Sequence, residues 1–101
     1  LLLKTTFVKQ RSKGMVVDRN GNPIEGVTVT LKEMKFDKYV AKRVTDKNGE
    51  YQIIVPNGTY QLGIMDDSYR AVRYEGGSSI ISRKRKAKEL VIDRAIIVKK
   101  K

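Results

Sequence analysis

Cysteine and histidine are both absent from the 101 residues. Without cysteine there are no disulfides, no thiolate metal sites and no cysteine nucleophile. The lack does not fix a compartment, because many secreted bacterial domains also lack cysteine. Without histidine, Ser-His triads, histidine general bases and ordinary zinc or copper sites are excluded as well. Any catalytic centre would have to rest on carboxylates or lysine. No apolar run approaches the ~18–20 residues of a membrane-spanning helix, and no helix of useful length is visible. Leu1-Leu2-Leu3 is too short for a signal peptide. The chain does not begin with Met, so it is read as processed, excised from something longer, or a part of a longer protein.

At 11.5 kDa the chain is one domain, large enough for a two-layer core and too small for a second. Its net charge of +11 is unevenly placed. Residues 1–13 carry Lys4, Lys9, Arg11 and Lys13 with no acid, and residues 83–101 carry nine cations against Glu89 and Asp93. The middle, 14–82, is neutral, with nine basic and nine acidic residues. Basic ends on a neutral body imply attraction to something anionic: nucleic acid, a wall polymer, a phospholipid surface or an acidic protein.

Alternating apolar stretches punctuated by Gly-bearing turns run from Gly14 to Leu62. Met15-Val16-Val17 is a strand, and Asp18 opens a turn in which Gly21 supplies positive φ and Pro23 stops the strand. Val27, Val29 and Leu31 alternate with Thr28, Thr30 and Lys32, the period of a half-buried antiparallel strand, and Gly26 marks a bulge or close backbone approach. After a charged link at 33–38, Tyr39 to Val44 is a third strand, with Val40 and Val44 on one face and Lys42 between them. Asp46-Lys47-Asn48-Gly49 predicts a hairpin turn, followed by Tyr51, Ile53 and Val55. Asn57-Gly58 predicts a type I′ hairpin before Tyr60, Leu62 and Ile64. Asp66-Asp67-Ser68 turns the chain into a sixth strand, Tyr69 to Tyr74. Residues 75–89 begin as a Gly/Ser loop and end in a basic cluster. Leu90 to Val98 is a closing strand that Asp93-Arg94 interrupts as a bulge. Short strands at this spacing predict an all-β fold, a seven- to eight-stranded Greek-key β-sandwich of prealbumin or Ig type. Residues 1–13 are expected as a basic extended segment or extra strand, and 14–101 as the sandwich with a basic insertion at 83–88.

The spaced positions Val17, Asp18, Gly21, Pro23, Gly26, Val27, Val29, Leu31, Thr45, Asp46, Gly49, Tyr51, Pro56, Gly58, Tyr60 and Leu62 resemble the pattern of the carboxypeptidase regulatory-like domain. The resemblance implies a transthyretin-like sandwich serving as an accessory module, without catalysis of its own. Its matched positions are turn and core residues, so they carry architecture rather than chemistry. The sequence departs from the pattern after Asp66.

Asp18-x-Asn20-Gly21 and Asp46-x-Asn48-Gly49 are superficially like calcium loops. An EF-hand would need a Glu eleven residues after each Asp, where Val29 and Asn57 stand. They are read as capped turns, and no metal or cofactor is expected. Asp66, Asp67 and Glu75 would be an acid/base set only if they converged in a pocket. Arg83, Lys84, Arg85, Lys86 and Lys88 form the sharpest candidate site, a run that an anionic protein or surface would neutralise, with nucleic acid ranked below these. Thr5, Thr6, Phe7 and Val8, with Ile96 and Val98, are expected to form a strand-edge interface with further subunits, giving a homo-oligomer or filament. The resulting expectation is a non-enzymatic structural or interaction module. It would belong to an extracellular or cell-surface assembly, or alternatively a phage virion. The alternative role is anion binding, to nucleic acid or a charged glycan, through 83–88.

Overall fold

A computed structural model describes residues 13–82 and 89–101. Ten strands follow in chain order: β1 (Gly14–Val17), β2 (Thr28–Glu33), β3 (Lys38–Val44), β4 (Glu50–Tyr51), β5 (Ile53–Pro56), β6 (Thr59–Met65), β7 (Tyr69–Tyr74), β8 (Ile80–Ser82), β9 (Glu89–Ile92) and β10 (Ala95–Lys100). Among the described residues the only helical turn is a 3-10 turn at Glu75–Gly77. The fold is the all-β sandwich that the alternation predicts.

One sheet has the order β4-β1-β10-β7 and the other β3-β2-β6-β8, while β5 and β9 pair separately. Only Gln52 separates β4 from β5, and only Asp93-Arg94 separates β9 from β10. The β5-β9 pair therefore extends the first sheet by chain continuity. β1 and β10 run parallel, with Met15, Val16 and Val17 beside Ala95, Ile96 and Ile97. The other named ladders are antiparallel.

The core follows from period-2 patterning. Val16, Val29, Leu31, Ile53, Leu62, Ile92, Ile96 and Val98 are all essentially inaccessible to solvent and belong to one cluster drawn from every sheet. Each such aliphatic side chain contributes about 1.5–3 kcal/mol relative to exposure. β3 covers the core less completely. It is an outer strand of its sheet, its register with β2 shifts between Leu31 and Lys32 of that strand, and only Ala41 is buried along it. The face shared by Val40 and Val44 turns to solvent, where they are 45% and 63% exposed.

Two turns differ from expectation for one reason. β5 and β6 pair with different strands, β9 and β2, so Asn57-Gly58 joins two sheets instead of closing a hairpin. Neither residue has positive φ, and a type I′ turn is excluded. The corner is tied instead by the Tyr60 hydroxyl, which donates to the Pro56 carbonyl at 2.7 Å. Asp46–Gly49 likewise carries the chain from β3 in one sheet to β4 in the other. Asp93-Arg94 is likewise more than a bulge: it divides the expected closing strand into β9, which pairs with β5, and β10, which pairs with β1 and β7. β8, in the stretch read as a loop, is a further difference. It pairs with β6 through Ile80, Ile81 and Ser82.

Candidate interaction surfaces

The polar residues of the central pattern are engaged in building the backbone. Asp18 Oδ1 accepts from the N–H groups of Asn20 and Asn22, each at 2.9 Å, and Oδ2 accepts from the Asn22 amide. The Asn22 N–H bond, ahead of the others, holds the Asp18 carboxyl below its ordinary pKa. Asp46 repeats the arrangement, accepting from Asn48 and Glu50 at 2.9 Å. Its pKa is likewise lowered, chiefly by the Glu50 N–H. Both would-be calcium loops are thus Asx-capped turns.

Thr45 is buried and stitches the entrance of β2 to the exit of β3. Its hydroxyl accepts from Val27 N–H at 3.0 Å and donates to the Ile24 carbonyl at 2.7 Å. Its backbone bonds Val27 and Gly26. The Tyr51 hydroxyl donates to the Arg94 carbonyl at 2.6 Å, where β9 gives way to β10. Tyr60 is buried, and its phenol pKa is raised by that burial and then by the Glu33 carboxylate, which keeps it a donor.

The carboxylates proposed for acid/base work do not meet. Asp66 Oδ2 accepts from Ser68 and Tyr69 N–H at 2.9 and 3.0 Å. Glu75 Oε1 accepts from Ala95 N–H at 2.9 Å, and the Glu75 carbonyl accepts from the Arg94 guanidinium at 2.8 Å. Asp66 caps the turn into β7, while Glu75, at the far end of β7, ties that end to the start of β10.

Of the expected interface residues, Thr5, Thr6, Phe7 and Val8 lie outside the described residues, as do Arg83, Lys84, Arg85, Lys86 and Lys88. Ile96 and Val98 are described, and they correct the expectation. β10 lies inside its sheet, between β1 and β7, and both side chains are wholly buried. Their apolar character serves the core; the outer strands of the two four-stranded sheets are β4, β7, β3 and β8.

The outward side of the first sheet carries a feature the sequence reading missed. Along β7, Tyr69, Ala71 and Tyr74 pack on the core, while Arg70, Val72 and Arg73 are exposed. On β10, Ile96 and Val98 point inward, and Ile97 and Lys99 are half-buried between them. Arg19, Val72, Arg73 and Ile97 line one shallow depression of about 360 Å³. Lys99 stands opposite Arg70 in the ladder, and Ile97 opposite Arg73. The available signal was the spacing of cations in both strands. It becomes meaningful only once β7 and β10 are known to pair.

Comparison with known proteins fits this picture. The pattern of the carboxypeptidase regulatory-like domain matches residues 13–87. The chain belongs to that family. As a carboxypeptidase regulatory-like domain it is similar to the serine-aspartate repeat-containing protein D of Staphylococcus aureus strain Newman, with 44% identity over 52 residues. The same identity holds for the strain MW2 and USA300 proteins. The match covers 50% of this chain and 4% of each relative. No solved structure matches the chain. The residues that place it in the carboxypeptidase regulatory-like family include Asp18, Thr45, Asp46, Tyr51 and Tyr60, whose polar atoms close turns and join strands. Membership therefore accounts for the scaffold, and the surface is left to distinguish this member.

Proposed function

We propose that this chain is a non-catalytic β-sandwich module of an extracellular or cell-surface protein, acting as a structural and interaction unit. The observation that carries this reading is the use of the family-pattern polar groups: Asp18, Asp46, Thr45, Tyr51 and Tyr60 each end on backbone partners within the fold. What such a scaffold offers is sheet faces and outer strands. The likeness to a staphylococcal serine-aspartate repeat-containing protein favours the cell surface over a virion. Contact with further subunits through residues 1–10 remains part of the proposal, without β10 as a partner strand.

Two measurements test it. Antibody against the chain should label intact cells of the source organism; labelling only after lysis would overturn the surface assignment. Light scattering of the chain at low and high salt, with and without residues 1–10, tests self-pairing. An assembly that dissociates on deletion supports it, and a monomer in every condition removes it.

A further inference from the structure

We infer that the outward face of β7 and β10, with Arg19, is a docking surface for an acidic polypeptide segment that carries aliphatic side chains among its carboxylates. The inference rests on the chain being an interaction module and names its partner's chemistry; it does not depend on where the parent protein resides.

Charge is the first ground. Arg19, Arg70, Arg73 and Lys99 form no ion pair among the described residues, whose salt bridges join Lys13 to Glu50 and Lys32 to Asp37. The Glu75 carboxylate beside the face is occupied with Ala95 N–H. Lys99 and Arg70 are direct cross-strand neighbours, and like charges placed opposite each other destabilise a sheet. A bound anion between them would turn that repulsion into attraction. Arginines suit the task, since their planar forks take a carboxylate through two parallel hydrogen bonds.

Apolar surface is the second ground, and it selects the class of anion. Val72 is 43% exposed, and it lines the depression together with half-buried Ile97, flanked by Arg19 and Arg73. An apolar centre rimmed by arginine is the composition of a protein–protein contact. A phosphate polymer would neutralise the rim and leave Val72 and Ile97 wet. A peptide with an aliphatic side chain between carboxylates would cover both.

The test is a titration of the isotope-labelled full chain, followed by NMR, with three probes: a glutamate–alanine copolymer, poly-L-glutamate of matched charge, and inorganic polyphosphate. The copolymer should shift the amides of Arg70 to Arg73 and Ile97 to Lys99 and bind more tightly than either homopolymer. Combined R70Q, R73Q and K99Q should weaken it roughly tenfold, and V72S should erase its advantage over poly-L-glutamate. R70Q alone should leave the fold intact and raise Tm by about 1–3 °C as the like-charge pair is relieved. Shifts centred on 83–88 or the N-terminal residues, tighter binding of polyphosphate at this face, or indifference to the triple substitution would each overturn the proposal.

Discussion

The hydroxyl end of the Tyr51 ring fills the space beside Gly14, its partner across the β1-β4 ladder, where any other residue would carry a β-carbon. A β-carbon at position 14 would overlap Cζ, Cε1 and the hydroxyl oxygen of that ring. The same side chain reaches on to the Arg94 carbonyl, so one tyrosine spans β4, β1 and the start of β10. Gly14→Ala is expected to destabilise the domain by about 1–3 kcal/mol, the usual magnitude for an overpacked core, measured by denaturant unfolding. Unchanged stability would mean that the ring has somewhere else to go.

Thr45 gives a second test. Thr45→Val keeps the shape and removes the hydroxyl, leaving the buried Val27 N–H without its acceptor and the Ile24 carbonyl without its donor. The expected loss is about 1–3 kcal/mol. Thr45→Ser, which keeps the hydroxyl, should recover most of it, and a larger loss for Ser than for Val would show that packing of the methyl group, not hydrogen bonding, is what Thr45 supplies.

Gly49 and Gly58 should respond differently to alanine. Gly49 has φ +73, and an added β-carbon would meet the Val16 carbonyl at 2.7 Å. Gly58 has no such backbone constraint, and its neighbour is the edge of Tyr60 at 3.3 Å. Gly49→Ala is expected to cost at least ~1 kcal/mol, because alanine is incompatible with that backbone, while Gly58→Ala should stay within ~1 kcal/mol of the parent chain. A large loss at Gly58 would revive the positive-φ turn that the sequence suggests.

This contrast also marks what was legible in the chain. β2 could be read because Val29 and Leu31 alternate cleanly with polar residues, and Asp18 and Asp46 because an Asx turn is complete within five residues. Asn57-Gly58 is a local signal as well, but turn type depends on whether the flanking strands pair. β5 and β6 pair elsewhere. β8 is three residues in a Gly/Ser stretch, too short to show a period. Ile96, Ile97 and Val98 form an unbroken apolar run, which marks a strand but does not say whether neighbours pair with it on one side or two. The place of β10 between β1 and β7 follows from long-range pairing. The cationic face was beyond the sequence, since Arg70 and Lys99 meet only through the register of β7 with β10.

Acid should weaken the domain through its turn carboxylates. Asp18 and Asp46 have lowered pKa values in the folded chain, first from the N–H groups of Asn22 and Glu50 respectively. A carboxyl whose folded pKa lies below its unfolded one contributes stability that is complete above the unfolded value. That contribution is lost as pH falls through the folded value. Thermal melts from about pH 5 downward should therefore show Tm declining once pH drops below about 4. In the Asp18→Asn, Asp46→Asn double variant that decline should be shallower. An equal slope would assign the acid sensitivity to other groups.

The parallel pairing of β1 with β10 has a mechanical consequence. Lys13 precedes one strand and Lys101 follows the other, so the backbone enters and leaves at opposite ends of the same ladder. Tension applied between these points slides β1 along β10, loading the rungs from Met15 to Val17 together instead of peeling them one by one. In single-molecule stretching the domain should give way in one abrupt rupture, and a gradual low-force extension would contradict this. A sandwich wired in this way behaves as a shear clasp, holding a pulled chain at fixed length until the whole ladder fails at once.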